Sequence, residues 1–189
     1  MTRNSMVVWR WQEGSLVATT SAASTRVFQA QFRPDSDSQF VTVGVNHVKF
    51  WSVAGNQLIG KKGVIPAASA TAASATDATI KMQTMLSLAF SADGITYTGA
   101  VSGDVYVWKD AKFIKMVKRA HDGPVFTMYT TLKDGLIVTG AKEKRSLKEG
   151  GCVKLWDQDM KRCRAYQIDT GSSIDVIKSV CRIKVRQLC

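Results

Sequence analysis

Histidine is nearly absent from this 189-residue chain, which holds only two, His47 and His121. No serine sits in a G-x-S-x-G elbow and no cysteine has a clear activating partner, so no catalytic residue is assigned and an enzyme is not expected. The four cysteines, Cys152, Cys163, Cys181 and Cys189, fall in the last quarter without a C-x-x-C pair. That spacing argues against a zinc site or a disulfide framework and for reduced thiols. No uninterrupted apolar run reaches membrane-spanning length. Met1 to Gln12 also lacks the basic, apolar and small order of a secretory signal, so the cytoplasm is the expected compartment and no membrane contact is expected. Acidic side chains are scarce, 15 against 26 Lys and Arg, which leaves a formal charge of +11. Such a balance speeds encounter with any acidic partner without choosing among them.

What is present is a repeat. The chain is 45% hydrophobic and 22% charged, the composition of a globular protein that buries a core. Short apolar strands ending in tryptophan recur at Val7 to Trp9, Val48 to Trp51, Val105 to Trp108 and Val153 to Trp156. Between them runs a fixed order of events. Met82 to Phe90 alternates apolar residues, Ser91-Ala92-Asp93-Gly94 forms a turn, and Ile95 to Ala100 is a second strand. Ser102-Gly103-Asp104 then turns into the tryptophan strand. A fourth strand, Lys112 to Lys118, mixes apolar and basic residues, as an edge protected against further pairing does. The same order runs from Val27 with the turn Arg33 to Ser36, and from Val125 with the turn Leu132 to Gly135.

A four-stranded module of about 40 to 45 residues is the period of a WD40 blade. The interval from Trp9 to Trp51 fits it, and the one from Trp51 to Trp108 requires an insertion. Ala67 to Thr79, small, polar and low in complexity, supplies one. The blades are therefore expected at about 26–62, 82–118 and 123–168, with partial blades at 6–20 and 174–185. The fold class is all-β, a partial WD40-type β-propeller of three whole four-stranded blades and two partial ones.

The residues resemble WD40 proteins directly. Trp156-Asp157 is the dipeptide that names them, and Ala120-His121-Asp122-Gly123 stands where their Gly-His opens a blade. The equivalents Trp9-Arg10, Trp51-Ser52 and Trp108-Lys109 lack the aspartate. The resemblance implies a buried network of His121, Thr139 and Trp156. The aspartate that would complete it is missing, because Lys142 to Gly151 reads as a long basic loop in place of a tight turn. Trp9, Trp51, Trp108, His121, Thr139, Trp156 and Asp157 are the expected structural blade residues.

Six segments together resemble the echinoderm microtubule-associated protein-like family, whose members carry tandem WD40-like propellers. They are Phe32–Asp37 (FRPDSD), Val48–Trp51 (VKFW), Lys81–Ser87 (KMQTMLS), Gly103–Asp110 (GDVYVWKD), Gly123–Thr131 (GPVFTMYTT) and Val153–Gln158 (VKLWDQ). The resemblance implies a non-enzymatic scaffold on microtubules that contributes to cytoskeletal organisation. Two features depart from it: the length of Ala67 to Thr79, and an end that stops in mid-blade at Ile183 to Cys189. A stretch of a larger propeller is expected, with apolar blade faces left open unless further sequence or a partner covers them.

Gly55 to Lys62 nearly spells a phosphate-binding loop, but Lys62 occupies the magnesium-binding hydroxyl's place and Pro66 opposes the required helix. A turn between strands is the expected structure, and no cofactor is assigned. Basic residues are the candidate partner-binding groups. Lys112, Lys115, Lys118 and Arg119 follow one tryptophan strand, Lys161, Arg162 and Arg164 follow the next, and Lys142, Lys144, Arg145 and Lys148 fill the expected loop. Edge protection and solubility are the competing account of the same residues. Tubulin or microtubules are the expected partner. Nucleic acid is not, since the aromatics are taken up by strand cores and leave no stacking platform. The alternative is a general protein-interaction propeller in a signalling or trafficking complex, without microtubule contact.

Overall fold

The computed structural model describes residues 5–21, 25–66, 80–145, 148–168 and 177–180, with the side chains of 143 to 149 outside the description. Every regular element within it is a strand. Twelve strands form three antiparallel meanders: β3 (Val27–Phe32) to β6 (Gln57–Lys62), β7 (Met85–Phe90) to β10 (Lys112–Val117), and β11 (Val125–Thr131) to β14 (Arg162–Ile168). Between these lie β4 (Gln39–Gly44) and β5 (His47–Ala54), β8 (Ile95–Ala100) and β9 (Val105–Lys109), and β12 (Leu136–Arg145) and β13 (Lys148–Trp156). A ribbon of β1 (Ser5–Arg10) and β2 (Ser15–Ser21) joins the first sheet through one parallel pair, Thr19 with Gln57.

The first strands of the three sheets stand side by side, β7 touching β3 on one flank and β11 on the other. Side chains stitch them together. Gln29 Oε1 accepts from Leu88 N at 3.0 Å, and Ser87 Oγ donates to the Val125 carbonyl at 2.8 Å. Sheets set radially with first strands innermost are the blades of a β-propeller, here a partial one.

The apolar cores lie between blades. Val41, Val43 and Val48 of the first blade meet Met85, Leu88, Tyr106 and Trp108 of the second. Tyr97, Val105 and Val107 meet Val125, Met128, Ile137 and Trp156 of the third. The middle blade is covered on both faces, which is why β9 reads as an unbroken apolar run, Val-Tyr-Val-Trp, instead of alternating. Its outer neighbour β10 has only one side to bury and carries its lysines outward.

Meander topology sorts the connections to two ends. The turns between first and second strands and between third and fourth strands share what we call the turn end, at 33–38, 55–56, 91–94, 109–111, 132–135 and 157–161. The β1–β2 turn joins them, because β2 runs parallel to β6. The second-to-third-strand turns and the passages from one blade to the next share the other, the connection end. Contacts across blades agree: Arg33 reaches Asp110 at the turn end, and His121 N donates to the Gly103 carbonyl at the connection end. Gly103 has φ +91, and a Cβ there would lie 2.1 Å from the carbonyl oxygen of His121, so only glycine lets the passage settle on the turn.

Two expectations change. The first strand of the middle blade starts at Met85 and not at Met82, because its partner β8 ends opposite it at Ala100; Gln83, ahead of the ladder, gives its side-chain amide to Asp104 (3.3 Å) and the Tyr106 hydroxyl (3.0 Å). The expected basic loop from Lys142 to Gly151 is instead a continuation of the β12–β13 ladder, with Lys142 opposite Gly151, Lys144 opposite Glu149 and Arg145 opposite Lys148. A ladder pairs backbone groups that a loop would leave to solvent. Ile177 lies against Gly140 and Gly151, so close that a Cβ on either would collide with it. Residues 177–180 carry no strand; the rest of the expected 174–185 blade, and the 67–79 insertion, lie outside the described residues.

Candidate functional site

Each blade is locked by a threonine on its second strand. Trp156 Nε1 donates to Thr139 Oγ1 at 2.8 Å, and His121 Nε2 stands 2.6 Å from the same oxygen. The three members expected from the sequence thus meet at the Thr139 hydroxyl. In the first blade Trp51 Nε1 donates to Thr42 Oγ1 (2.9 Å), which has its proton left to give to His47 Nε2 at 2.8 Å. This histidine comes from the tryptophan strand itself, not from the passage before the blade. Burial, and then the cations of Lys49 and Lys62, hold the His47 pKa below its usual value, in keeping with an imidazole that accepts through Nε2. In the middle blade Trp108 Nε1 donates to Thr98 Oγ1 (3.0 Å) and Met85 Sδ receives the hydroxyl at 3.5 Å.

Sequence reasoning found one of these locks and missed two. The missed signal is a threonine aligned with the residue two places before the tryptophan: Thr42 with Lys49, Thr98 with Tyr106, Thr139 with Lys154. Asp157 serves a turn, its carboxylate accepting from Lys161 N at 2.7 Å. Trp9 is 59% exposed, unlike the tryptophans it aligns with. Gly55, at φ +60, turns into β6, so the near phosphate-binding motif is a hairpin and an outer strand.

The candidate basic residues do not gather in one patch. Lys112, Lys161 and Arg162 sit toward the turn end, while Lys115 and Arg164 lie part-way along the outer strands. Lys115 Nζ donates to the Asp159 carbonyl at 2.8 Å and so clasps the second blade to the third. Lys118 and Arg119 are exposed at the connection end, where Arg119 N donates to Asp104 Oδ1 at 2.8 Å. Lys142 begins the extended arm there, and the ladder places Lys144, Arg145 and Lys148 farther along it.

An ionic clasp that sequence reading did not single out joins the first and second blades. The Arg33 guanidinium meets Asp35 at 2.8 Å and Asp110 at 3.3 Å. Hydrogen bonding to Asp35 raises the arginine's pKa further and lowers that of the aspartate. Among the described residues no group of three or more His, Cys, Asp or Glu could hold a metal ion; Cys152 is buried and Cys163 is exposed.

Comparison with known proteins agrees with this architecture. The family model for the echinoderm microtubule-associated protein first beta-propeller matches residues 1–189. The chain is 27% identical over 180 residues to the 77 kDa echinoderm microtubule-associated protein of Lytechinus variegatus, covering 94% of this chain and 24% of that one. It is 32% identical over 142 residues to echinoderm microtubule-associated protein-like 1 of Mus musculus, covering 74% of this chain and 16% of that protein. The chain therefore spans about a quarter or less of these relatives' length. The solved structure of U3-55K superposes with a TM-score of 0.58 at 14% identity, covering 82% of this chain and 42% of that one, a likeness of fold alone.

Proposed function

The chain belongs to the echinoderm microtubule-associated protein family, in its first β-propeller, and from that membership we propose that it is a non-enzymatic scaffold that binds microtubules in the cytoplasm. The observation that carries the reading is the match of the whole chain to that propeller, together with curated relatives that are microtubule-associated by name. The propeller offers rigid blades with buried tryptophan locks and a surface rich in exposed lysine and arginine. Tubulin polymers present an acidic surface, and exposed ion pairs are weak one by one, so many contacts acting together are needed. Co-sedimentation with polymerised tubulin, using a longer chain that includes this propeller, should show binding that falls as salt rises. No binding at low salt by a folded protein would refute the reading.

One observation favours the second reading, a protein-interaction propeller without microtubule contact: Lys115 is engaged by Asp159, and the remaining cations are split between two ends. Reversing Lys142, Lys144, Arg145 and Lys148 to Glu separates the two. Unchanged co-sedimentation favours the second reading, and loss of it the first.

A further inference from the structure

The two ends of the blade set differ in charge. The turn end is close to charge balance: Asp35, Asp37, Asp93, Asp110, Asp134 and Asp159 are exposed in its turns, against Arg33, Lys109, Lys112, Lys133, Lys161 and Arg162. Its cations are partly committed, Arg33 to Asp35 and Asp110, and Lys109 to the Asp93 carbonyl at 2.6 Å. The connection end holds Asp104 and the exposed Asp122, but its cations outnumber them and leave it basic. Arg26 precedes the first blade, Lys62 and Lys81 flank the passage into the second, Lys118 and Arg119 lie on the passage into the third, and Lys178 lies beyond; all are exposed. The extended arm rises from the same end. Four further ladder steps past Ala141 add on the order of 13 Å, and Lys142, Lys144, Arg145 and Lys148 lie along it. A six-residue strand separates the ends by about 20 Å. The screening length at physiological salt is about 8 Å, so a partner at one end senses little of the other.

We infer that the connection end is the docking face for an extended, carboxylate-rich protein segment. The cations are strung one blade boundary after another, not clustered, so a compact anion would meet only one or two of them. An acidic chain lying across the boundaries would meet all. The exposed tryptophans Trp9 and Trp11, which could stack bases, lie toward the turn end, which disfavours a single-stranded nucleic acid at the basic one. The near-balanced turn end faces away from such a partner, so the excess of positive charge at the connection end sets the orientation of the propeller upon it. The inference rests on the microtubule reading only for where the acidic segment comes from.

The test uses the whole chain and a fluorescent oligoglutamate peptide, read by anisotropy across a salt series. Arg26→Glu, Lys81→Glu and Lys118→Glu together should weaken binding about tenfold or more, since three exposed contacts at 0.2–1 kcal/mol each combine to that size. Lys112→Glu, Lys133→Glu and Lys161→Glu, which make the same charge change at the turn end, should weaken it far less. Equal losses from the two sets overturn the inference, as does tighter binding of a single-stranded oligonucleotide of matched charge. If the triple reversal does not fold, single neutral changes Arg26→Gln, Lys81→Gln and Lys118→Gln are ranked against Lys112→Gln, Lys133→Gln and Lys161→Gln. No excess at the connection end is then the refuting outcome. Microtubule co-sedimentation run in parallel keeps the two ideas apart: oligoglutamate selectivity without microtubule binding sinks the scaffold reading and leaves this one standing.

Discussion

Trp108 and Trp9 end strands that read alike, yet the first is fully buried and the second is 59% exposed. Around Trp108 the packing is closed on every side, with Phe50 of the neighbouring blade tilted against it at 6.3 Å, Tyr106 stacked at 6.2 Å and Phe113 edge-on at 5.6 Å. Around Trp9 there is one antiparallel neighbour, β2, and no strand among the described residues pairs with the other edge of β1. The tryptophan strand is a local motif; its burial is a property of the blade next door. The middle blade has a blade on each side, whereas the amino-terminal ribbon has one on a single side.

The widest test of that contrast is truncation. Trp108→Ala should cost about 3–5 kcal/mol, the range for deleting a large buried aromatic. Trp9→Ala should stay within about 0.5 kcal/mol, as exposed substitutions do. Urea unfolding followed by circular dichroism measures both. A comparable loss for Trp9 would mean that its ring is covered in solution.

The threonine locks come next. Thr139→Val keeps the shape but removes the oxygen shared by Trp156 and His121, leaving a buried indole N–H without its acceptor; a loss of about 1–3 kcal/mol is expected. Thr98→Val does the same to Trp108. There the second partner is a thioether, a weak acceptor whose own desolvation costs little. Thr98→Val should therefore cost less than Thr139→Val, and the reverse order would show that the Met85 contact matters more than its chemistry suggests.

A smaller effect follows from His47. Its pKa is held below the usual 6.5, so the unfolded chain binds the proton more readily than the folded one. The stability of the first blade is then complete above pH 6.5 and declines as pH falls through that value toward the folded-state pKa. Thermal midpoints should fall between pH 7 and pH 5 more steeply in the natural chain than in His47→Gln. Parallel slopes would assign the acid sensitivity elsewhere.

The three blades were legible because their signals are local: a tryptophan at the end of a short apolar run, and Pro-Asp, Asp-Gly or Gly-Asp where the chain must turn. The extended arm was not. Lys142 to Gly151 is polar, charged and glycine-bearing, and such a segment reads as a loop unless one knows that its two halves stay in register beyond Ala141. The exposure of Trp9 was illegible for a different reason, since nothing in Val7-Val8-Trp9 states what lies across from it. The candidate basic residues were legible as charge but not as position. Strand direction sorts Lys161 and Lys118 to opposite ends, although both follow a tryptophan strand, because Lys161 lies in the turn before the outer strand and Lys118 lies just past it.

The smallest expected change in stability is also the sharpest probe of the ribbon. Trp9→Ser with Trp11→Ser should leave the thermal midpoint nearly where it was, because Trp11 is 84% exposed and neither indole has a hydrogen bond to lose among the described contacts. What should change is association. Val7, Trp9 and Leu16 form an exposed apolar group beside an edge of β1 that no described strand pairs, the combination that invites edge-to-edge pairing. Sedimentation velocity of the natural chain should show concentration-dependent self-association that the double variant reduces. Hydrogen exchange should find the β1 and β2 amides opening well before those of β8 and β9, since local opening follows the number of buried neighbours. A monodisperse natural chain with a well-protected ribbon would reverse the comparison, making Trp9 part of a covered blade like Trp108.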